Sequence, residues 1–377
     1  MRVVVTGGAG FIGSNVAAHY LREGHRVTVL DDLSRAGAHL NLPWLRSLDQ
    51  HGRLRFVRGD VRRPEMVESA LSRGADLLFH YAAQTAVTTS LTAPREDLDV
   101  NLMGTFNVLE AVRRIPPDDR PAVFFTSTNK VYGSLPGRKV VEDETRYRFS
   151  DRELDAHGID ESEPLDFHSP YGCSKGAADQ YVRDYARIYG LRTVVFRMSC
   201  IYGTRQFGTE DQGWVAHFFI KAAGGEPIAI YGDGKQVRDL LFIDDLVRAF
   251  AMAAERIDAT AGNVYNIGGG PANTVSIWRE LQPRLTRLAG GAVPISRHDW
   301  RPGDQPVYVS NTQAARRDFG WAPRVDLDEG LSRLWRWVNE EMAALTPPKP
   351  PQLASEHPRQ VESLRTAPSE AVHGDAA

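Results

Sequence analysis

The segment Arg2-Val3-Val4-Val5-Thr6, running directly into Gly7-Gly8-Ala9-Gly10-Phe11-Ile12-Gly13, constrains this chain more than any other stretch. A β-branched run bounded by glycines reads as a buried strand ending in a tight turn. Gly7 lets that turn tighten, Gly10 lets a pyrophosphate approach the backbone, and Gly13 lets the next helix pack closely on the strand. Residues 11–23 have helical spacing, so Phe11 and Ile12 open a helix whose positive end points at the phosphates. A second strand, Arg26–Asp31, then ends in a carboxylate placed to accept hydrogen bonds from an adenosine ribose. The neighbouring Asp32 would repel a 2′-phosphate, which favours NAD over NADP. Ser34 and Arg35 follow in the same loop, and Arg35 softens that preference without reversing it.

The first half continues the alternation. Strands are expected at Leu54–Arg58, 76–80, 122–126 and 191–196, with helices between them, notably 97–114 and 171–189. Near-continuous apolar strands separated by helices argue for an α/β fold, a doubly wound parallel sheet covered on both faces. Residues 1–200 form the expected dinucleotide-binding domain. Residues 201–342 mix helices (Trp214–Ala223, 244–255) with short strands (227–231, 263–267) and read as a smaller substrate-covering domain, with some interleaving of elements. Within 142–166, ten acidic residues face only three basic ones, which suggests an insert, with a lid over the site slightly favoured over a plain surface loop. Residues 343–377 hold six prolines and no aromatic residue, the composition of a disordered tail.

Composition excludes several function classes. A net charge of −3 gives no electrostatic case for nucleic acid or an anionic membrane as partner. No apolar run reaches the length of a spanning helix. With only Cys173 and Cys200 present, a disulfide framework is not expected and a reducing cytoplasm is the default compartment. Cys173 reads as a small buried residue. His80 reads as the end of a core strand and His168 as a residue at the site mouth. Neither has a partner at metal-ligand spacing, so no metal is expected.

The second chemical motif is Tyr171-Gly172-Cys173-Ser174-Lys175. Tyr171 and Lys175 are one helical turn apart and share a face. A free phenol titrates near ~10, too high for a base at neutral pH. An ammonium nearby and a positively charged nicotinamide would favour the phenolate. Thr128, at the end of the fifth strand, can hold the same substrate oxygen in line. The pattern points to proton and hydride transfer at a carbinol carbon. Asp60-Val61, after the third strand, either receives the adenine edge or simply caps the strand.

These motifs, with Ala82-Ala83-Gln84, Ser127-Thr128…Val131-Tyr132-Gly133 and Asp239…Phe242-Ile243-Asp244-Asp245-Leu246, resemble the extended short-chain dehydrogenase/reductases over residues 1–340. That family contains nucleotide-sugar epimerases and dehydratases. The resemblance implies a Rossmann-type domain holding NAD tightly, a C-terminal nucleotide-sugar domain, and a homo-oligomer formed through the Tyr-bearing helix. It implies Thr128, Tyr171 and Lys175 as the catalytic trio and Ala82, Ala83, Gln84 and Asn101 as further cofactor contacts. Thr128, Ser199, Gln206, Arg238 and Arg301 are the implied substrate contacts, with the two arginines at the diphosphate and 209–214 lining the nucleotide pocket. The stretches 127–133, 158–161, 164–175, 197–203 and 205–214 are similar to the branch that inverts C2 of a CDP-linked sugar. The acidic insert then belongs to that branch. In the family's 4,6-dehydratases the catalytic Thr is followed by Asp-Glu, an acid and a base for eliminating water. Here Asn129 and Lys130 stand there, which argues for epimerisation. Two other readings stay open: a UDP-sugar 4-epimerase with the same trio, and a dinucleotide-sensing protein without catalysis.

Overall fold

The computed structural model describes residues 1–301 and 304–345. Seven strands make one parallel sheet in the order Val264–Ile267, Thr193–Met198, Ala122–Thr128, Leu77–His80, Arg2–Thr6, Arg26–Asp31, Leu54–Arg58. Successive side chains of a strand point to opposite faces. Val3 and Val5 accordingly enter the core under helices Phe11–Arg22 and Ile243–Glu255, while Val4 enters the core under Pro64–Leu71, Gly104–Arg113 and Ser169–Tyr189. Both faces are buried, and this explains why the strands read as continuous apolar runs. From Arg2–Thr6 the chain winds outward through two strands, then crosses back to place Leu77–His80 on the other side. That reversal opens a crevice at the carboxyl ends of the strands.

The expected helix 97–114 is interrupted. Pro94–Leu98 gives way to a π-helical turn, Asp99–Met103, before Gly104–Arg113 resumes. Such turns commonly mark functional positions. Here Asn101 lies on the widened turn with its side chain drawn into a polar network.

The second half returns to the first domain before leaving it again. Val264–Ile267, expected in the smaller domain, pairs in parallel with Thr193–Met198 and becomes an edge strand of the main sheet. Tyr265 and Ile267 are buried there, so packing and not chain order assigns the strand. The ranges 1–200 and 201–342 therefore interleave. The smaller unit is built on Val237–Phe242, flanked by Cys200–Tyr202 and Val307–Tyr308 in parallel and by Thr274–Ser276 in antiparallel. A second pair joins Ile228–Tyr231 to Ile295–His298.

The acidic insert is pinned down, and the expectation of a lid is corrected. It forms a hairpin, Val140–Glu142 with Tyr147–Phe149, and a helix, Arg152–His157. Its charges are used locally. Glu142 pairs with Lys235 (2.7 Å), Glu163 with Arg138 (2.6 Å), and Asp151 caps its helix at the Leu154 N–H (2.9 Å). Arg146 reaches Glu280 at 2.5 Å, and Glu161 accepts from the Asn266 N–H at 2.6 Å. The insert thus ties the smaller unit to the edge of the main sheet. At the C-terminus, helical chain continues to Leu345, past the expected boundary at 342; the rest of the expected tail lies outside the described residues. No helix among the described residues is long and apolar enough to cross a membrane.

Candidate active site

Because Arg2–Thr6 and Leu77–His80 are neighbours, the turns that follow them meet. A Cβ on Gly7, whose φ is 66°, would come 2.6 Å from the Ala82 nitrogen, and one on Gly13 would strike the Gly7 carbonyl. Gly10 donates its N–H to Gly7 O at 3.1 Å, and the Ser14 N–H reaches Gly10 O at 2.9 Å. This bare backbone, beside half-buried Phe11 and Ile12 at the helix start, is a cradle only glycine permits. Asp31 sits against it, buried, accepting from the Ala9 N–H at 2.9 Å and the Leu33 N–H at 2.8 Å. Burial pushes its carboxyl pKa up against those bonds. A further backbone bond comes from Gly10, and a carboxylate with about four acceptor sites has one left for a ribose hydroxyl. The set fits a dinucleotide such as NAD.

Other expected cofactor residues divide into two groups. Asp32 accepts from the Ser34 N–H (2.9 Å) and hydroxyl (2.7 Å), and Arg35 extends to Gln212 Oε1 at 3.2 Å. Ala82 and Ala83 are half-buried on the turn that faces Gly7. Asp60 is engaged by the Arg62 backbone and guanidinium at 2.6–2.8 Å, which makes it a cap; Val61 beside it is buried. Gln84 and Asn101 turn inward. The Gln84 side-chain amide donates to Asp97 Oδ1 (2.9 Å), Asn101 Nδ2 donates to the same oxygen (3.1 Å), and the Ser174 hydroxyl donates to Asp97 Oδ2 (2.5 Å). They brace the catalytic helix from beneath. Asp97 is the residue sequence reasoning missed, although its place one turn before Asn101 was a signal.

The structure places Thr128 at the end of its strand beside Tyr171, with Lys175 one turn further along the same helix. The Thr128 hydroxyl accepts from the Lys130 N–H at 3.2 Å and is hydrogen-bonded to the Tyr171 phenol. Ser169 starts the helix at φ 67°, a strained position for a non-glycine residue, and its hydroxyl accepts from the Gly172 N–H at 3.2 Å. The electrostatics differ from expectation. Burial pushes Tyr171 up to about 12, with Thr128 and Arg35 working against it. Burial pushes Lys175 down to about 7, with Asp179 and Asp97 pulling the other way. The Lys175 ammonium lies 4.2 Å from the Phe125 ring centroid and makes no hydrogen bond to Tyr171. In the protein alone desolvation wins, so the phenolate needs positive charge from a bound ligand.

Facing the trio across the crevice are the substrate candidates. Arg238 is buried and pairs with Asp304 at 2.5 Å. Arg301 pairs with Glu210 at 3.3 Å and stacks over Tyr231, 3.9 Å from the ring centroid. Ser199 gives its hydroxyl to buried Asp239, so it supports the fold. Gln206 is held from below, and its Oε1 has no hydrogen-bond partner among the described residues. It is 2% exposed, donates to Ile201 O at 3.2 Å and packs beneath Gly213, because the segment folds over it. That segment bridges the two halves through Thr88–Asp211 (2.8 Å), Arg35–Gln212, and Glu210 with Tyr231. Cys173 is exposed, against expectation, because its position points off the packed face of the helix. His80 is buried between Thr6 (2.6 Å) and Thr105 (3.0 Å), and burial lowers its pKa to about 3. His168 is exposed at the helix start.

Comparison with known proteins agrees with this geometry. The model of the NAD dependent epimerase/dehydratase family matches residues 3–268. The chain is 43% identical over 345 residues to a CDP-paratose 2-epimerase of Salmonella typhi, covering 90% of this chain and 99% of that protein. It is similar in structure to a UDP-glucuronic acid 4-epimerase of Bacillus cereus in complex with UDP-glucuronic acid and NAD: TM-score 0.76, 26% identity, 90% and 99% of the two chains. A dTDP-glucose 4,6-dehydratase of Streptomyces venezuelae, also with NAD bound, superposes at TM-score 0.75 with 31% identity, over 91% and 98%.

Proposed function

The chain belongs to the NAD dependent epimerase/dehydratase family, and from that premise we propose that it inverts C2 of CDP-paratose to give CDP-tyvelose. It is an NAD-dependent enzyme of nucleotide sugars; the choice of sugar and carbon is the proposal. The observation that carries it is the 43% identity over 90% of this chain and 99% of that protein. Asn129 and Lys130 add a chemical argument against dehydration. Asn129 Nδ2 donates to Gln305 Oε1 at 3.5 Å, and an amide cannot protonate a leaving hydroxyl.

The substrate's own chemistry sets the mechanism. Paratose lacks a C3 hydroxyl, so no C3 ketone can acidify C2, and a C4 ketone is one carbon too far. Inversion therefore needs oxidation of C2 itself. Bound NAD supplies the acceptor that takes the C2 hydride and returns it to the opposite face. Tyr171 accepts the hydroxyl proton and gives it back, while Thr128 holds the oxygen in line. Arg238 and Arg301 grip the diphosphate as the ketosugar turns, exchanging Asp304 and Glu210 for phosphate oxygens. Since the cofactor is regenerated in each turnover, it stays bound.

With both cysteines free, a reducing cytoplasm suits this reading. Homo-oligomerisation would use the catalytic helix and its neighbour, where Leu98, Met103, Tyr181 and Ile188 are exposed. Ile188→Glu should shift the protein to monomer by light scattering; an unchanged mass would exclude this face. The deciding experiment is proton NMR of the purified protein with CDP-paratose in D2O and no added cofactor. Conversion to CDP-tyvelose with protium kept at C2 is expected. Deuterium at C2 would overturn the mechanism. No conversion, with C4 inversion of a UDP-sugar instead, would favour the 4-epimerase reading.

A further inference from the structure

Lys130 stands apart from the other cations of the crevice. The chain carries its positive charge mostly on arginine, with six lysines among 45 Lys and Arg. Lys221 and Lys235 pair with Glu226 and Glu142. The half-buried Lys130 makes no side-chain hydrogen bond or ion pair among the described residues. Yet three charged or titratable groups face it: Cys200 from Cys200–Tyr202, Arg238 from Val237–Phe242, and Asp304 from the loop beyond. Its backbone is fixed to the redox centre through the Thr128 hydroxyl, 3.2 Å from the Lys130 nitrogen. Lys130 thus lies between the Thr128–Tyr171 pair, where the reacting carbon must sit, and Arg238, where the diphosphate must be held. What spans that interval is the sugar ring.

Resting on the epimerase reading above, we propose that Lys130 contacts the sugar and decides which carbon faces Tyr171, by donating to the C4 hydroxyl and leaving C2 for oxidation. In a pyranose, C2 and C4 flank C3 symmetrically, and turning the ring over exchanges their places. A grip on the nucleotide alone does not distinguish them. Paratose, a 3,6-dideoxyhexose, offers only its C2 and C4 hydroxyls when linked through C1, and Thr128 and Tyr171 take one. An ammonium has three donors and no acceptor, on a flexible four-carbon stem. It can follow the second hydroxyl through both poses without abstracting its proton, which a carboxylate in this place would do. Burial and Arg238 lower the Lys130 pKa to about 8, while Asp304 and Cys200 raise it. The contact should therefore weaken as pH rises through about 8.

The test compares Lys130→Met and Lys130→Arg with wild type, as full-length NAD-loaded protein. On CDP-paratose, Lys130→Met should lose about 10- to 100-fold in kcat, the range of a hydrogen bond to a charged group. Its affinity for CDP, measured by inhibition, should stay within about threefold, since the nucleotide grip is untouched. The ratio of Lys130→Arg to wild-type activity should rise as pH passes about 8, because a guanidinium stays charged while the titration of Lys175 is common to both proteins. Wild-type kcat in Lys130→Met, or a loss matched by lost CDP affinity, would overturn the assignment. A wild type that inverts only C4 of a UDP-sugar would sink the 2-epimerase reading and with it the C4 contact. A wild type active on CDP-paratose whose activity ratio to Lys130→Arg stays constant across pH 8 would overturn the Lys130 role alone.

Discussion

Arg197 lays its guanidinium along both oxygens of Asp179, with Nε 2.9 Å from Oδ2 and Nη2 3.1 Å from Oδ1, and neither side chain reaches solvent. Burial works against the guanidinium's charge, and Asp179 overcomes it. The pair joins helix Ser169–Tyr189 to strand Thr193–Met198, one turn beyond Lys175, so it fixes the helix that carries the phenol. Asp179→Asn leaves a buried cation uncompensated and should cost about 3–5 kcal/mol in urea unfolding. A loss below about 1 kcal/mol would show that the pair contributes little to stability.

Lys175 makes the stability of the cofactor-free protein depend on pH. Its folded pKa, about 7, lies below the unfolded value of about 10.5, so the unfolded chain binds more protons between them. This contribution is fully present above about 10.5 and is lost as pH falls through about 7. Lys175→Met should accordingly stabilise the cofactor-free protein near pH 6 and not near pH 10, read by denaturant midpoints at about those two values. Equal shifts at both would refute the buried ammonium.

Asp31→Asn should weaken NAD binding by about 10- to 100-fold, the range of a charge-assisted hydrogen bond. The amide keeps an acceptor for either Ala9 or Leu33, so the turn survives. Titration calorimetry reads the change. Unchanged affinity would remove the ribose role.

Tyr171→Phe should bind NAD and CDP as wild type does while turnover falls about 10²- to 10⁴-fold. Removing the phenol deletes the proton acceptor and leaves Thr128 to hold an oxygen it cannot deprotonate. If turnover persisted, the trio would not be catalytic.

Some of the site was legible without a fold. The glycine turn, Asp31, and the Tyr171/Lys175 spacing each encode local geometry, and each stood where expected. Asp179 extends the same face by one further turn and could have been read from that spacing. Glu210 and Asp304 could not be read this way, because their roles depend on partners far away in sequence: Tyr231 and Arg238.

By itself the sequence determined the parallel sheet, the dinucleotide turn and the shared helix face of Tyr171 and Lys175, because strand period, glycine conformation and helical spacing act over a few residues. Only the tertiary structure decided that Val264–Ile267 joins the first domain, that the acidic insert is bound down by Lys235, Arg138 and Asn266, and that burial raises the Tyr171 phenol. Those outcomes rest on desolvation and on pairings between distant segments, and neither exists until the chain has closed around them.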